Sequence, residues 1–115
     1  MMPAKARALL DADRVETLAR LRRLGATFDD IVDSARDSNV DDEHDTEGIT
    51  IAATRQQVAA LIKAGRARLA DIAAANQRLA DGTYGTCVRC GQQISDGRLS
   101  ARPATPWCID CARDQ

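Results

Sequence analysis

One histidine, three aromatic residues and three prolines in 115 residues exclude several common designs. With His44 alone no Ser/His/Asp grouping can be assembled, and no phosphate-binding glycine loop occurs, so an enzyme is not expected. Phe28, Tyr84 and Trp107 are too few to fill a thick core, and much of the 44% apolar content is alanine, which suits thin helix pairing. No run of 18 apolar residues exists, and Lys5, Arg7, Asp11 and Asp13 interrupt the N-terminal stretch where a signal peptide would need an apolar segment. The expectation is a soluble, cytoplasmic chain with no membrane partner. Nor is there an excess of base: a net charge of −1 argues against a general nucleic-acid binder, which needs clustered Lys and Arg.

The charge that is present is unevenly placed. Asp37, Asp41, Asp42, Glu43, Asp45 and Glu47 crowd one segment without a single Lys or Arg, whereas residues 49–80 hold five bases and only Asp71 as an acid. On either side of this segment run two helical patterns. Leu21, Leu24, Phe28, Ile31 and Ala35 recur at spacings of three and four, extending less regularly upstream through Leu18 and Val15, and predict a helix over about 9–37. Ile51, Arg55, Val58, Ile62, Gly65, Leu69, Ile72, Asn76 and Leu79 keep a 4-3 spacing over four heptads, a coiled-coil seam with imperfect positions at Arg55, Gly65 and Asn76. Asp45 or Thr46 can cap its start and Asp81-Gly82 its end, predicting a second helix over about 47–81.

Folded antiparallel about a turn near residue 43, the seams bring Ala35 to Ile51, Phe28 to Val58, Leu24 to Ile62, Leu21 to Gly65 and Leu18 to Leu69. That regularity favours an intramolecular, monomeric hairpin over two helices that dimerise with another chain. The expected fold is mainly α: an antiparallel helical hairpin or coiled coil over 1–81, with an acidic tip at 38–48, followed by a small four-cysteine zinc finger over 82–115. Acids at the start of the second helix favour its dipole, but those ending the first oppose it, so helix stability explains only half of the cluster. The remainder reads either as a solvated turn or as a functional tip, in which Asp42, Glu43, Asp45 and Glu47 approach a bound Mg²⁺ or a basic surface. A coiled coil of roughly 45 Å would carry them far from the cysteines. His44, alone among carboxylates, reads as a surface histidine.

Cys87-x2-Cys90 and Cys108-x2-Cys111, separated by 17 residues, have the spacing at which two thiolate knuckles clasp one tetrahedral zinc ion. Gly91 lets the first knuckle turn back, and Pro103 and Pro106 shape the connection to Trp107. Four protein ligands leave no position for water, so the ion is structural, and a finger this small depends on it for folding. A disulfide pair lacks a secretory context. A thiol or zinc redox sensor remains a rival, because zinc thiolates can be oxidised with loss of metal. So does a DNA-binding finger, although Arg89, Arg98, Arg102 and Arg113 are nearly balanced by Asp96, Asp110 and Asp114, and no basic tail follows Cys111.

Gly82-Thr83-Tyr84-Gly85-Thr86-Cys87-Val88-Arg89-Cys90-Gly91, Ile94, Arg98-Leu99-Ser100-Ala101-Arg102-Pro103 and Cys108-Ile109-Asp110-Cys111 together resemble the DksA/TraR family of zinc-finger transcription factors. The preceding hairpin with its acidic tip is similar in organisation. The resemblance implies direct binding of RNA polymerase, insertion of the tip through the secondary channel toward the catalytic Mg²⁺, and action on promoter complexes without contacting DNA. It also implies a D-x-x-D-x-A tip motif, for which there are two candidates. Asp30-Ile31-Val32-Asp33-Ser34-Ala35 matches in letters but lies within the first helix; Asp42-Glu43-His44-Asp45-Thr46-Glu47 lies at the turn with Glu47 in place of Ala and is favoured by location. Family members often act with guanosine tetraphosphate. Arg102, with Arg98 beside it, matches a basic segment associated with effector or polymerase contact, whereas Ala112 stands where a base is expected. Effector dependence is left open, and the alternative role of Arg98 and Arg102 is to brace the finger against the second helix.

Overall fold

Proline at the first position of a helix removes an amide that has no intrahelical partner, and Pro3 opens the first long helix in this way. The computed structural model describes residues 1–37 and 45–114, with side chains 34–37 and 45–49 left aside. The element order is α1 (Pro3–Asp37), α2 (Asp45–Asp81), α3 (Asp96–Ala101) and α4 (Ile109–Arg113), with no strand among the described residues. This is the expected helical hairpin and four-cysteine segment. Helix α1 begins earlier than the pattern from residue 9 suggested, because Ala6 and Leu10 continue its inner face and are both fully buried.

Contacts divide the chain into two compact units, Met1–Thr17 with Ala67–Gln115, and Leu18–Arg66. In the first, Leu10 packs with Ile72 and Ala75, and Leu79, Tyr84 and Ala104 lie against that cluster. Two helices alone half-cover their seam; here the finger residues Tyr84 and Ala104 supply the additional cover. The upstream seam departs from the sequence expectation. Val15 points to solvent at 68% exposure, and the inner position goes to Thr17, only 2% exposed. A threonine can sit there because its Oγ1 donates 2.7 Å to the Asp13 carbonyl, one helical turn back.

In the second unit Val58 is buried and Leu21, Leu24, Phe28, Ile31, Ile51 and Ile62 are half-buried, as the heptad seam requires. Leu21 faces Gly65: a Cβ on that glycine would stand 2.7 Å from Leu21 Cδ2. The expected pairing of these two residues therefore holds, and Gly65 is the hole into which Leu21 fits. Toward residues 27–31 and 50–54 the helices enclose an open cleft of about 280 Å³ lined by Thr27, Asp30, Ile31, Thr50, Ile51 and Thr54. The expected contact of Ala35 with Ile51 involves a side chain outside the described set.

Helix α2 ends as Asp81-Gly82 foretold. Gly82 adopts φ +78°, and the amides of Gly82 and Thr83 donate to the carbonyls of Leu79 and Arg78 at 3.3 and 2.9 Å. This double closure satisfies carbonyls that the helix end would otherwise leave open. Among the described residues no helix is long and apolar enough to cross a membrane.

Candidate metal centre

The two cysteine pairs reach one point because each lies in a tight backbone turn. In the first knuckle the Gly91 amide donates 2.9 Å to the Cys87 carbonyl, with Gly91 at φ +78°, a conformation that strains any side chain bearing a Cβ. The Cys87 amide donates 2.8 Å to the Gln92 carbonyl, and a short antiparallel bridge pairs Thr86 with Gln93. In the second knuckle Cys108 precedes α4, and the Ala112 amide closes on the Cys108 carbonyl at 3.0 Å. A bond of 2.9 Å from the Val88 amide to the Pro106 carbonyl ties the first knuckle to the chain entering the second.

These bonds bring the sulfurs of Cys87, Cys90, Cys108 and Cys111 within 4.8 Å of one another, with Cys90 and Cys108 at 3.7 Å. Four sulfurs about 2.3 Å from a tetrahedral zinc stand about 3.8 Å apart, so the donor set fits that ion. The thiols differ in acidity. Burial pushes Cys87 up, but backbone amides of Cys108, Cys90 and Arg89 aimed at its sulfur outweigh this and bring it down to about 6. Cys111 is pushed up to about 12 by burial and by sharing the site with the sulfurs of Cys108, Cys87 and Cys90. A divalent cation removes that mutual repulsion, and this is the chemistry by which such a cluster becomes four thiolates around one metal. The chain carries one structural zinc, and these four cysteines are the ones placed to hold it.

A small apolar core sits beneath the site. Cys87, Ile94, Leu99 and Cys108 are buried together, with Met1, Tyr84, Trp107 and Cys111 packed around them. Ser95 caps α3 by accepting from the Arg98 amide at 3.2 Å and so fixes where Leu99 enters this core. Gly85 passes close to Leu99, 3.6 Å from where a Cβ would stand, and its carbonyl accepts from the Ile94 amide at 2.7 Å.

Arg98 and Arg102 part company here. The Arg98 guanidinium donates from Nε to the Trp107 carbonyl at 2.9 Å and from an Nη to Thr105 Oγ1 at 3.2 Å, holding the segment that delivers Cys108. Its bracing is therefore internal to the finger. The brace to α2 is Arg78, half-buried, whose Nη2 lies 3.5 Å from the Ala104 carbonyl. Burial lowers its pKa from the usual arginine range. Within the finger Tyr84 donates 2.7 Å to the Pro103 carbonyl while its ring lies against the Leu10, Ile72 and Ala75 cluster. Neither Arg78 nor Tyr84 stood out in the sequence for this task, although both flank the Gly82 helix stop. Arg102 ends α3 with its side chain exposed.

Of the acidic tip candidates, Asp42 and Glu43 lie outside the described residues, and Asp45 and Glu47 fall in the first turn of α2 with side chains outside the described set. Asp30 and Asp33, the alternative pair, are exposed on α1, and Asp30 lines the cleft described above.

The family described as prokaryotic dksA/traR C4-type zinc finger matches residues 82–115. A protein of Aquifex aeolicus (strain VF5) described as "Uncharacterized protein" is 44% identical over 48 residues, 42% of this chain and 33% of that protein. The chain thus spans about a third of that relative's length. The solved structure of transcription factor DksA2 from Pseudomonas aeruginosa matches with a TM-score of 0.55 and 30% identity, over 94% of this chain and 83% of that one.

Proposed function

The chain belongs to the DksA/TraR family of zinc-finger transcription factors, and on that premise we propose that it regulates transcription by binding RNA polymerase directly. The observation that carries this reading is the likeness to DksA2, which extends over both long helices as well as the finger. In the proposed mechanism the acidic segment between α1 and α2 enters the secondary channel, with Asp42 and Asp45 as the acting carboxylates and Glu43 and Glu47 beside them. Carboxylates there can draw on the charge of a channel Mg²⁺ or meet a basic wall. The zinc has no open coordination position in a four-thiolate site, so its part is to hold the finger, and we assign the chain no catalytic step.

Arg102, exposed at the end of α3, is the side chain we place against polymerase or guanosine tetraphosphate, with Arg98 shaping the segment that follows it. Direct DNA binding forms no part of this reading, because bases and acids nearly balance in the finger.

The test is co-elution of the purified chain with RNA polymerase core at low salt, followed by transcription assays. Charge reversal by Asp42→Lys with Asp45→Lys is expected to change transcription while leaving co-elution largely intact; reversal at Asp30 and Asp33 is expected to have the smaller effect. Absence of co-elution overturns the proposal. A salt-dependent mobility shift with duplex DNA alone would favour a DNA-binding finger instead.

A further inference from the structure

A seam that repeats every seven residues has a weakness: sliding one helix by a heptad again sets apolar residues against apolar residues. In one direction Leu21, Leu24 and Ile31 would find Ile72, Leu69 and Ile62 as apolar partners after such a slip, and in the other Leu10 and Leu21 would find Leu69 and Val58. The polar residues would not. Asp13, whose side chain is only 10% exposed, accepts from Arg68 Nε through Oδ1 at 2.7 Å. Thr17, 2% exposed, holds the same turn by donating 2.7 Å to the Asp13 carbonyl, with its Oγ1 3.4 Å from Asp13 Oδ1.

We infer that Asp13, Thr17 and Arg68 form a polar lock that selects one register of the helical hairpin. Slipping one heptad in one direction sets Asp13 opposite Ala75 and brings Arg20 opposite Arg68. Slipping the other way sets Asp13 opposite Leu61 and Arg68 opposite Ala6. Each alternative strips an inward-facing carboxylate of its cation, and the first adds a like-charge contact. The hydrogen bond from Arg68 to Asp13 also raises the Arg68 pKa, as expected for a guanidinium whose partner is held in place. A polar contact of this kind, with Asp13 covered and Arg68 half exposed, contributes specificity whatever its net effect on stability. The lock does not depend on the polymerase reading and stands or falls separately from it.

The experiment compares the full zinc-loaded chain with Asp13→Leu/Arg68→Leu and with the exchanged pair Asp13→Arg/Arg68→Asp. Proton NMR contacts between the Leu21 methyls and the Gly65 Hα report the native register. The apolar double variant is expected to stay folded but to give more than one set of Leu21 signals, with new contacts to Val58 or Ile72. The exchanged pair is expected to return a single set with the Leu21–Gly65 contact. A single native set in the apolar variant overturns the proposal and leaves the register to Leu21 and Gly65. An unfolded apolar variant overturns it as well, because the lock is held to choose among folded registers. Multiple sets in the exchanged pair would count against it in the same way.

Discussion

Residues 18–66 and the unit formed by Met1–Thr17 with Ala67–Gln115 are built from the same two helices, yet they are buried to different degrees. In the first, Val58 and Gly65 are buried while Leu21, Leu24, Phe28 and Ile31 stay half-exposed. In the second, Leu10, Ile72 and Ala75 lose essentially all contact with water. The apolar rhythm is the less regular along the second, so its deeper burial arises from what covers the seam. Tyr84 and Ala104 close over Leu10 and Ile72, and they can do so because Gly82 turns the chain back and the zinc-held finger presents them. A heptad seam between two helices is a surface; a third layer makes it a core.

The largest test of this contrast is removal of the metal. Chelation of zinc is expected to abolish protection of the Cys87, Ile94 and Leu99 amides in hydrogen exchange and to weaken it around Ile72. Amides between Leu21 and Ile31 should change much less. Uniform loss along both helices would erase the distinction between the two units.

Truncation of the seams probes the same contrast. Leu10→Ala, at a fully buried site, is expected to cost about 2–5 kcal/mol in urea unfolding. Leu24→Ala, at a half-buried one, should cost about 1 kcal/mol, in proportion to the area it already leaves in water. Equal costs would mean that the finger adds nothing to the burial of Leu10.

A further prediction separates the two arginines of the finger. Arg98→Ala removes two hydrogen bonds from a cation to the segment before Cys108 and is expected to cost about 2 kcal/mol and to loosen zinc, read by chelator competition. Arg102→Ala, on an exposed side chain, should change stability by less than about 0.5 kcal/mol. If Arg102 proves the more damaging to zinc retention, the division of labour between them is wrong.

A smaller effect than the loss of Arg98 is expected at Gly65. Alanine gains roughly 1 kcal/mol of helix propensity over glycine, but its Cβ would meet Leu21 Cδ2 at 2.7 Å and Cγ at 3.1 Å. Overpacking costs about 1–3 kcal/mol, so Gly65→Ala should destabilise by about 1 kcal/mol, and Leu21→Ala in the same chain should relieve the clash. Additive effects of the two substitutions would show that Leu21 does not occupy the Gly65 hole.

Much of this molecule was legible in one dimension. The two long helices, the Gly82 stop, the Leu21–Gly65 pairing and the four-cysteine centre all follow from spacing, because heptads and Cys-x2-Cys pairs fix local geometry before any long-range contact forms. The upstream seam was harder to read. Asp13 and Thr17 broke its apolar rhythm, and Val15 looked like a seam residue until the helix placed it in water.

What the sequence determined by itself was therefore the periodic and the covalently local: helices, turns, a metal-ligand set, and an acidic segment between the helices. Tertiary structure decided which polar side chains face inward and what they do there. It set Asp13 beside Arg68, turned Arg98 onto the Cys108 approach, and gave the brace between α2 and the finger to Arg78. The physical reason is that apolar burial is non-directional and announces itself by period, whereas an ion pair or a guanidinium on a carbonyl exists only where two distant segments meet at hydrogen-bond distance and angle.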